Sequence, residues 1–218
     1  MLKNINVLRL CLVTDMQNLS FDQYQSLILK AIQGGVTSVQ LRMKNADQAQ
    51  ILLVGRALKL ILDNHHIPLI INDDAHVAKA LGAHLHIGPN DISPDVAREI
   101  VGPDVLIGLS IESEEALAQA NALTSINYVA ASAIFPSKTK PDCKKIWGLS
   151  GLAKIAAQSA HPMMGIGGIT ADNVGSVIEN GACGVAVVDA IHGAIDPTAS
   201  ASNLIAIIDE SLRSKANV

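Results

Sequence analysis

Aromatic side chains are almost missing from this 218-residue chain: Phe, Tyr and Trp make up 2% of it, with a single Trp. A core without them must rest on Ala, Val, Ile and Leu, which suits β-branched strands covered by Leu/Ala-rich helices. Cysteine is nearly as scarce. Cys11, Cys143 and Cys183 are widely spaced, form no CxxC pair and are odd in number, which argues against a disulfide framework and points to a reducing compartment. Cys11 and Cys183 fall in apolar, strand-like runs and read as small core residues, whereas Cys143 lies in a polar loop. No apolar run approaches transmembrane length, and the N-terminus lacks a signal-peptide pattern. An excess of basic residues is lacking too. The formal net charge of −4 offers no field for nucleic acid, so any phosphate site must be local. These absences predict a cytoplasmic protein that engages neither nucleic acid nor membrane, and they leave a homo-oligomer open.

What is present is regular. With 49% hydrophobic and 17% charged residues, the chain is long enough for one large domain over residues 1–218. Apolar, β-rich segments alternate with longer helical patterns from end to end, the signature of βα units. Strands are expected at Arg9–Val13, Ser38–Leu41, Pro68–Ile71, Leu85–Ile87, Leu106–Leu109, Tyr128–Ala131, Met163–Ile166 and Gly184–Val188. Helices should begin near Phe21, Ala46, Ala75, Pro94, Ser113, Leu149, Ala171 and Thr198. Ser20 and Ser113 suit N-caps and Pro94 a first helical turn, while Gly34-Gly35, Gly82, Gly102 and Gly181 suit helix ends. Eight such units admit a closed barrel or an open doubly wound sheet. Polar or Gly-rich sequence follows almost every strand end, which favours a single (β/α)8 TIM barrel with its site at one rim.

The centre of the chain is the stretch from Pro68 to Asp91. Strand Leu69-Ile70-Ile71 ends in Asn72-Asp73-Asp74, a short Ala-rich helix follows, and strand Leu85-His86-Ile87 ends in Gly88-Pro89-Asn90-Asp91. Parallel strands joined by a right-handed crossover are usually neighbours, about 4.8 Å apart, so Asp73 and Asp91 can aim at one point. That point suits Mg²⁺, which is commonly held by one or two carboxylates, with waters and phosphate oxygens completing an octahedral shell. Asn-Asp-Asp after a strand is also an ordinary turn and helix-cap composition.

Further polar groups follow the other strands. Gln40, Arg42 and Lys44 alternate along an extended segment and can all enter the barrel mouth, where a guanidinium fork and an ammonium match a diphosphate. They also fit a solvated basic strand end. Ser110 follows the fifth strand as a rim hydroxyl or a turn residue. The longest break, Ser132 to Trp147, carries Ser137, Lys138, Thr139 and Lys140, donors for a phosphate-bearing ligand on a covering loop or a surface excursion. Gly165-Ile166-Gly167-Gly168 follows the seventh strand, where barrels often bind phosphate, although tight βα turns use the same pair. No histidine stands at metal-ligand spacing. His86, near a strand end, reads as a core or structural residue, and no catalytic histidine is assigned.

Taken together and in this order, Gln40-Leu41-Arg42-Met43-Lys44, Ile71-Asn72-Asp73-Asp74, Phe135-Pro136-Ser137-Lys138-Thr139-Lys140, Gly165-Ile166-Gly167-Gly168-Ile169 and Gly184-Val185-Ala186-Val187-Val188 resemble thiamine phosphate synthase over nearly the whole chain. The resemblance implies a (β/α)8 transferase of the cytosol that joins hydroxymethylpyrimidine diphosphate to hydroxyethylthiazole phosphate with loss of pyrophosphate, using Mg²⁺. On it, Asp73 and Asp91 would be the metal ligands, and Arg42, Lys44, Asn72 and Lys140 would hold the diphosphate. Gln40 would face the pyrimidine. Ser137 and Thr139, with Gly167, Val188 and Asp189, would hold the thiazole phosphate. Ser110 would face the reacting centre, and it and Lys140 would be the catalytic side chains.

The chain departs from the family's pattern in several places. Ala130-Ala131-Ser132-Ala133 replaces a Gly-Pro-containing strand end, the segment between Gly82 and His86 looks one residue short, Pro89 replaces a Gln, and Asp189 a Ser. The nearest rival, a thiazole tautomerase of the same fold, relies on a histidine where this chain has Glu112. A rival of another kind is a non-catalytic barrel that senses a phosphorylated precursor, which predicts binding without pyrophosphate release.

Overall fold

The structure, a computed structural model, describes residues 5–14, 16, 19–137 and 145–216. A short 3-10 turn, Ile5–Leu8, leads into β1 (Leu10–Thr14). Then follow α1 (Phe21–Gln33), β2 (Ser38–Leu41), α2 (Gln48–Asn64), β3 (Leu69–Asn72), α3 (Ala75–Leu81), β4 (His84–Ile87) and α4 (Pro94–Val101). The second half contains β5 (Ile107–Ile111), α5 (Glu114–Ala120), β6 (Tyr128–Ser132), α6 (Gly148–Gln158), β7 (Met163–Ile166), α7 (Val174–Glu179), β8 (Gly184–Val187), α8 (Asp189–His192) and α9 (Pro197–Ala216). Every strand pairs in parallel with the next, and β8 returns to β1 through Leu10↔Val185, so the sheet closes into the expected barrel. Among the described residues no helix is long and apolar enough to cross a membrane.

Alternation along the strands sorts the apolar residues into two layers. Leu10, Leu12, Val39, Leu41, Ile71 and Leu85 lie in the cluster shared with the helices, whereas Cys11, Val13, Ile70, Tyr128, Ala130, Met164 and Ala186 form a second cluster, the filling of the barrel. At roughly 2 kcal/mol per fully buried aliphatic side chain, burial of the outer layer is the largest favourable contribution to the fold. Burial also settles the character of two thiols. Cys11 and Cys183 are pushed up to about 11 by desolvation, so both remain protonated packing groups with little nucleophilic character. Cys143 lies outside the described residues.

Local chemistry accounts for the helix starts. Ser20 and Gln23 form a capping box on α1, and Ser113 caps α5. Helix α2 starts at Gln48, two residues later than expected, because Asp47 and Gln50 form a second capping box. Helix α7 starts at Val174, later than Ala171, because Asn173 turns its side chain back onto Thr170 N and Gly168 O. The four-residue α8 was not expected. β5 and β6 run to Ile111 and Ser132 because the ladder continues through the polar pairs Ser110↔Ala130 and Ser132↔Ile166.

Glycine has a packing role at the β7 end. Gly167 and Gly168 have φ of 100° and 63°, and a Cβ on either would lie 2.4 Å from Ala133 Cβ or 2.6 Å from Pro136 O. Both residues let the chain after β6 cross closely over β7, where Phe135 N donates to Gly167 O at 3.0 Å.

Candidate active site

A cavity of about 690 Å³ opens at the C-terminal ends of the strands. Its wall gathers Gln40, Arg42, Lys44, Asn72, Asp73, Asp91, Ser110, Ser137, Gly167, Val188 and Asp189, so the rim residues singled out from sequence converge on one space. Thr139 and Lys140 lie outside the described residues. Gln40, Arg42 and Lys44 reach the cavity from β2 and its continuation, with Gln40 buried and Arg42 half-buried. Alternation puts these three side chains on one side of the chain.

The cap reading of Asn72-Asp73-Asp74 holds at Asp74, while Asp73 lines the cavity. Asp74 caps α3, accepting from Val77 N at 2.8 Å, and Gln48 Nε2 donates to its carboxylate. Asp73 turns the other way. Its backbone is left-handed, at φ 69°, and its N–H donates to His86 O at 2.8 Å, which carries β3–β4 pairing one step past the strand. Asp91 is held from the other side by a tight turn, its Oδ2 accepting from Gly88 N at 2.6 Å.

The two carboxyl groups lie close enough to perturb each other. Partial desolvation among the cavity walls first, then the neighbouring Asp91 carboxyl and its charge, push Asp73 up to about 7 although the residue is exposed, while Arg42 and Lys44 pull it back. Among the described lining residues, four carboxylates (Asp73, Asp91, Glu112, Asp189) face two cations (Arg42, Lys44). The described lining thus carries more acidic than basic groups, and a polyanionic ligand would gain from further positive charge here. The donor set suits a hard divalent cation: two adjacent acidic oxygen ligands, with no group of three or more His, Cys, Asp or Glu among the described residues that could form an all-protein cage.

This pair makes stability pH-dependent. The folded chain keeps the Asp73 proton to about pH 7, whereas an unfolded Asp releases it near 3.8. Between those values the folded state binds more protons, so without divalent cation stability falls as pH rises through this window. Mg²⁺ bound at this pair, as the resemblance in sequence implies, would supply the lost counter-charge. Its thermal shift is expected to be small at about pH 5.5 and clearly larger at about pH 8; equal shifts would remove the coupling.

Several lining groups escaped the sequence reading. His86, for which the strand-end position allows either a core role or a reach to the mouth, combines the two: it is buried, with Nδ1 3.1 Å from Tyr128 Oη and Nε2 3.0 Å from Ser110 Oγ, and it borders the cavity. Its signal was the period-two alternation of β4. Glu112 lies two residues beyond Ser110 by the same rule, and Asn90 and Thr170 complete the rim.

A parallel eight-stranded barrel with acidic and cationic groups gathered at the C-terminal mouth is the architecture of a (β/α)8 enzyme. The sequence model of the thiamine monophosphate synthase family matches residues 10–191. The thiamine-phosphate synthase of Chlamydia caviae is 39% identical over 94% of this chain and 97% of its own length. That of Vibrio parahaemolyticus is 40% identical over 94% and 100%. A solved thiamine phosphate pyrophosphorylase from Pyrococcus furiosus superposes with a TM-score of 0.86 at 32% identity, covering 95% of this chain and 98% of the other. The chain belongs to the thiamine monophosphate synthase family, and it is an enzyme of the transferase class.

Proposed function

We propose that this enzyme joins hydroxymethylpyrimidine diphosphate to hydroxyethylthiazole phosphate, releasing pyrophosphate and forming thiamine phosphate. The observation that carries the reading is the meeting of Asp73 and Asp91 with Arg42 and Lys44 in one cavity. Arg42 and Lys44, with Asn72 and Lys140, bind the diphosphate, and Gln40 orients the pyrimidine ring. Ser137, Thr139 and the chain at Gly167 and Val188-Asp189 receive the thiazole phosphate. Asp73 and Asp91 hold Mg²⁺, which when bound neutralises phosphate charge and stabilises the leaving pyrophosphate.

The protein needs no nucleophile of its own. The methylene C–O bond breaks and its electron pair leaves with pyrophosphate, while the pyrimidine amino group delocalises the positive charge left behind. The thiazole nitrogen then supplies the pair for the new C–N bond. What the chain contributes is cationic neutralisation by Arg42, Lys44 and Lys140, a hydroxyl from Ser110 at the reacting centre, and alignment of the two rings. The same reading sets the reaction in the cytoplasm, among free small molecules.

The test is direct. Incubation with both precursors and Mg²⁺ should yield thiamine phosphate and pyrophosphate in equal amounts; binding of either precursor without product would defeat the proposal. Asp189 gives a second measurement. A carboxylate at a phosphate subsite is repulsive, and Asp189 is an exposed lining residue of the cavity. Asp189→Ser is expected to lower KM for the thiazole phosphate by about three- to tenfold and leave KM for the pyrimidine diphosphate unchanged. An unchanged thiazole KM would mean that Asp189 points away from that phosphate.

A further inference from the structure

Beneath the rim, three neighbouring strands connect the barrel interior to the cavity. His86 of β4 is level with Gly108 of β5, and Gly108 with Tyr128 of β6. A Cβ on Gly108 would lie 2.1 Å from Tyr128 Cζ, so the bare glycine is what lets the phenol reach across β5 to β4. Tyr128 Oη meets His86 Nδ1 at 3.1 Å, and His86 Nε2 meets Ser110 Oγ at 3.0 Å. His86 and Ser110 border the cavity, while Tyr128 is buried below it.

The directions of these bonds follow from what surrounds the phenol. Tyr128 packs in the inner cluster with Cys11, Ile70, Met164 and Ala186, whose side chains offer at most a weak sulfur acceptor. Burial holds the phenol protonated, well above its ordinary range. A buried hydroxyl hydrogen requires an acceptor, and His86 Nδ1 is at hand. Tyr128 O–H therefore donates to Nδ1. A neutral imidazole that accepts at Nδ1 carries its hydrogen on Nε2, and that Nε2–H donates to Ser110 Oγ. With one lone pair thus engaged, the hydroxyl can turn its own hydrogen away from the imidazole, and Ser110 borders the cavity on that path.

We propose that Tyr128, acting through His86, holds Ser110 as a hydrogen-bond donor aimed into the cavity, which makes His86 and Tyr128 positioning residues for the transfer. The proposal rests on the synthase reading above. A donor fixed in this way before substrate arrives serves the leaving-group oxygen, where charge grows as the C–O bond breaks. Its effect falls on the chemical step and leaves ground-state binding alone.

Two measurements test it. In native protein with ¹⁵N-labelled histidine, the His86 ring, identified by the signal lost in His86→Gln, is expected to show hydrogen on Nε2 and a bare Nδ1. Hydrogen on Nδ1, or on both nitrogens, would overturn the assignment. The second is a kinetic cycle. Tyr128→Phe, which keeps the ring and removes the donor, is expected to lower kcat about tenfold with both KM values unchanged. In a Ser110→Ala background the same change should have no further effect, whereas equal loss in both backgrounds would show a merely structural role and end the proposal. A native chain that makes no thiamine phosphate would defeat the reaction reading separately, with the ¹⁵N spectrum still deciding the proton assignment.

Discussion

Asp73→Asn is expected to lower Mg²⁺-dependent kcat by roughly 10²- to 10³-fold while leaving the chain as stable as before, or more so. The substitution is chosen for its backbone. Asp73 sits at φ 69°, a conformation that Asn tolerates and most residues do not, so folding should survive. Its carboxyl group faces Asp91 at the exposed mouth of the cavity, and the neutral amide removes that repulsion. In metal-free protein the melting temperature should therefore rise at about pH 8, where native Asp73 is charged, and change little at about pH 5, where it is already protonated. The Mg²⁺ thermal shift should shrink. Retained turnover with an unaltered Mg²⁺ requirement would refute the metal assignment.

The second large effect is expected at Arg42. It faces the carboxylate pair and lines the cavity half-buried, where a guanidinium is less screened than on an open surface. Arg42→Ala is expected to raise KM for the pyrimidine diphosphate about 100-fold, the cost of truncating one partner of a desolvated, hydrogen-bonded charge pair. Arg42→Lys should recover part of this, since it restores the charge without the planar fork. A KM that ignores both substitutions would show that the diphosphate lies elsewhere.

These effects could be framed from sequence because the features behind them are periodic or local. Alternation in Gln40, Arg42 and Lys44 predicts a common face, and consecutive βα units bring Asp73 beside Asp91. The same logic located the eight strands to within one or two residues at most ends. What sequence reasoning missed depends on register and on packing between distant segments. The Tyr128, His86 and Ser110 chain needs three strands aligned at Gly108 before it can be seen. Gly167 and Gly168 read as a phosphate loop, and what that reading did not foresee is that a side chain there would also meet Ala133, Phe135 and Pro136. The capping box at Asp47 and Gln50 was legible in principle, but a helix pattern that tolerates Ala46 concealed it.

The β1–β8 ladder bears on how the molecule is made. On its second edge β1 finds its partner in β8, where Leu10 is level with Val185, and α9 packs against α1 and α7 and ties Arg9 to Asp209. Strand β1 leaves the ribosome long before β8 and therefore waits, with one edge unpaired, until β8 has been synthesised. Loss of the last helix would deprive both ends of the barrel seam of cover at once, so a nascent chain stalled before Pro197 would be a substrate for chaperones and proteases before it could be a catalyst.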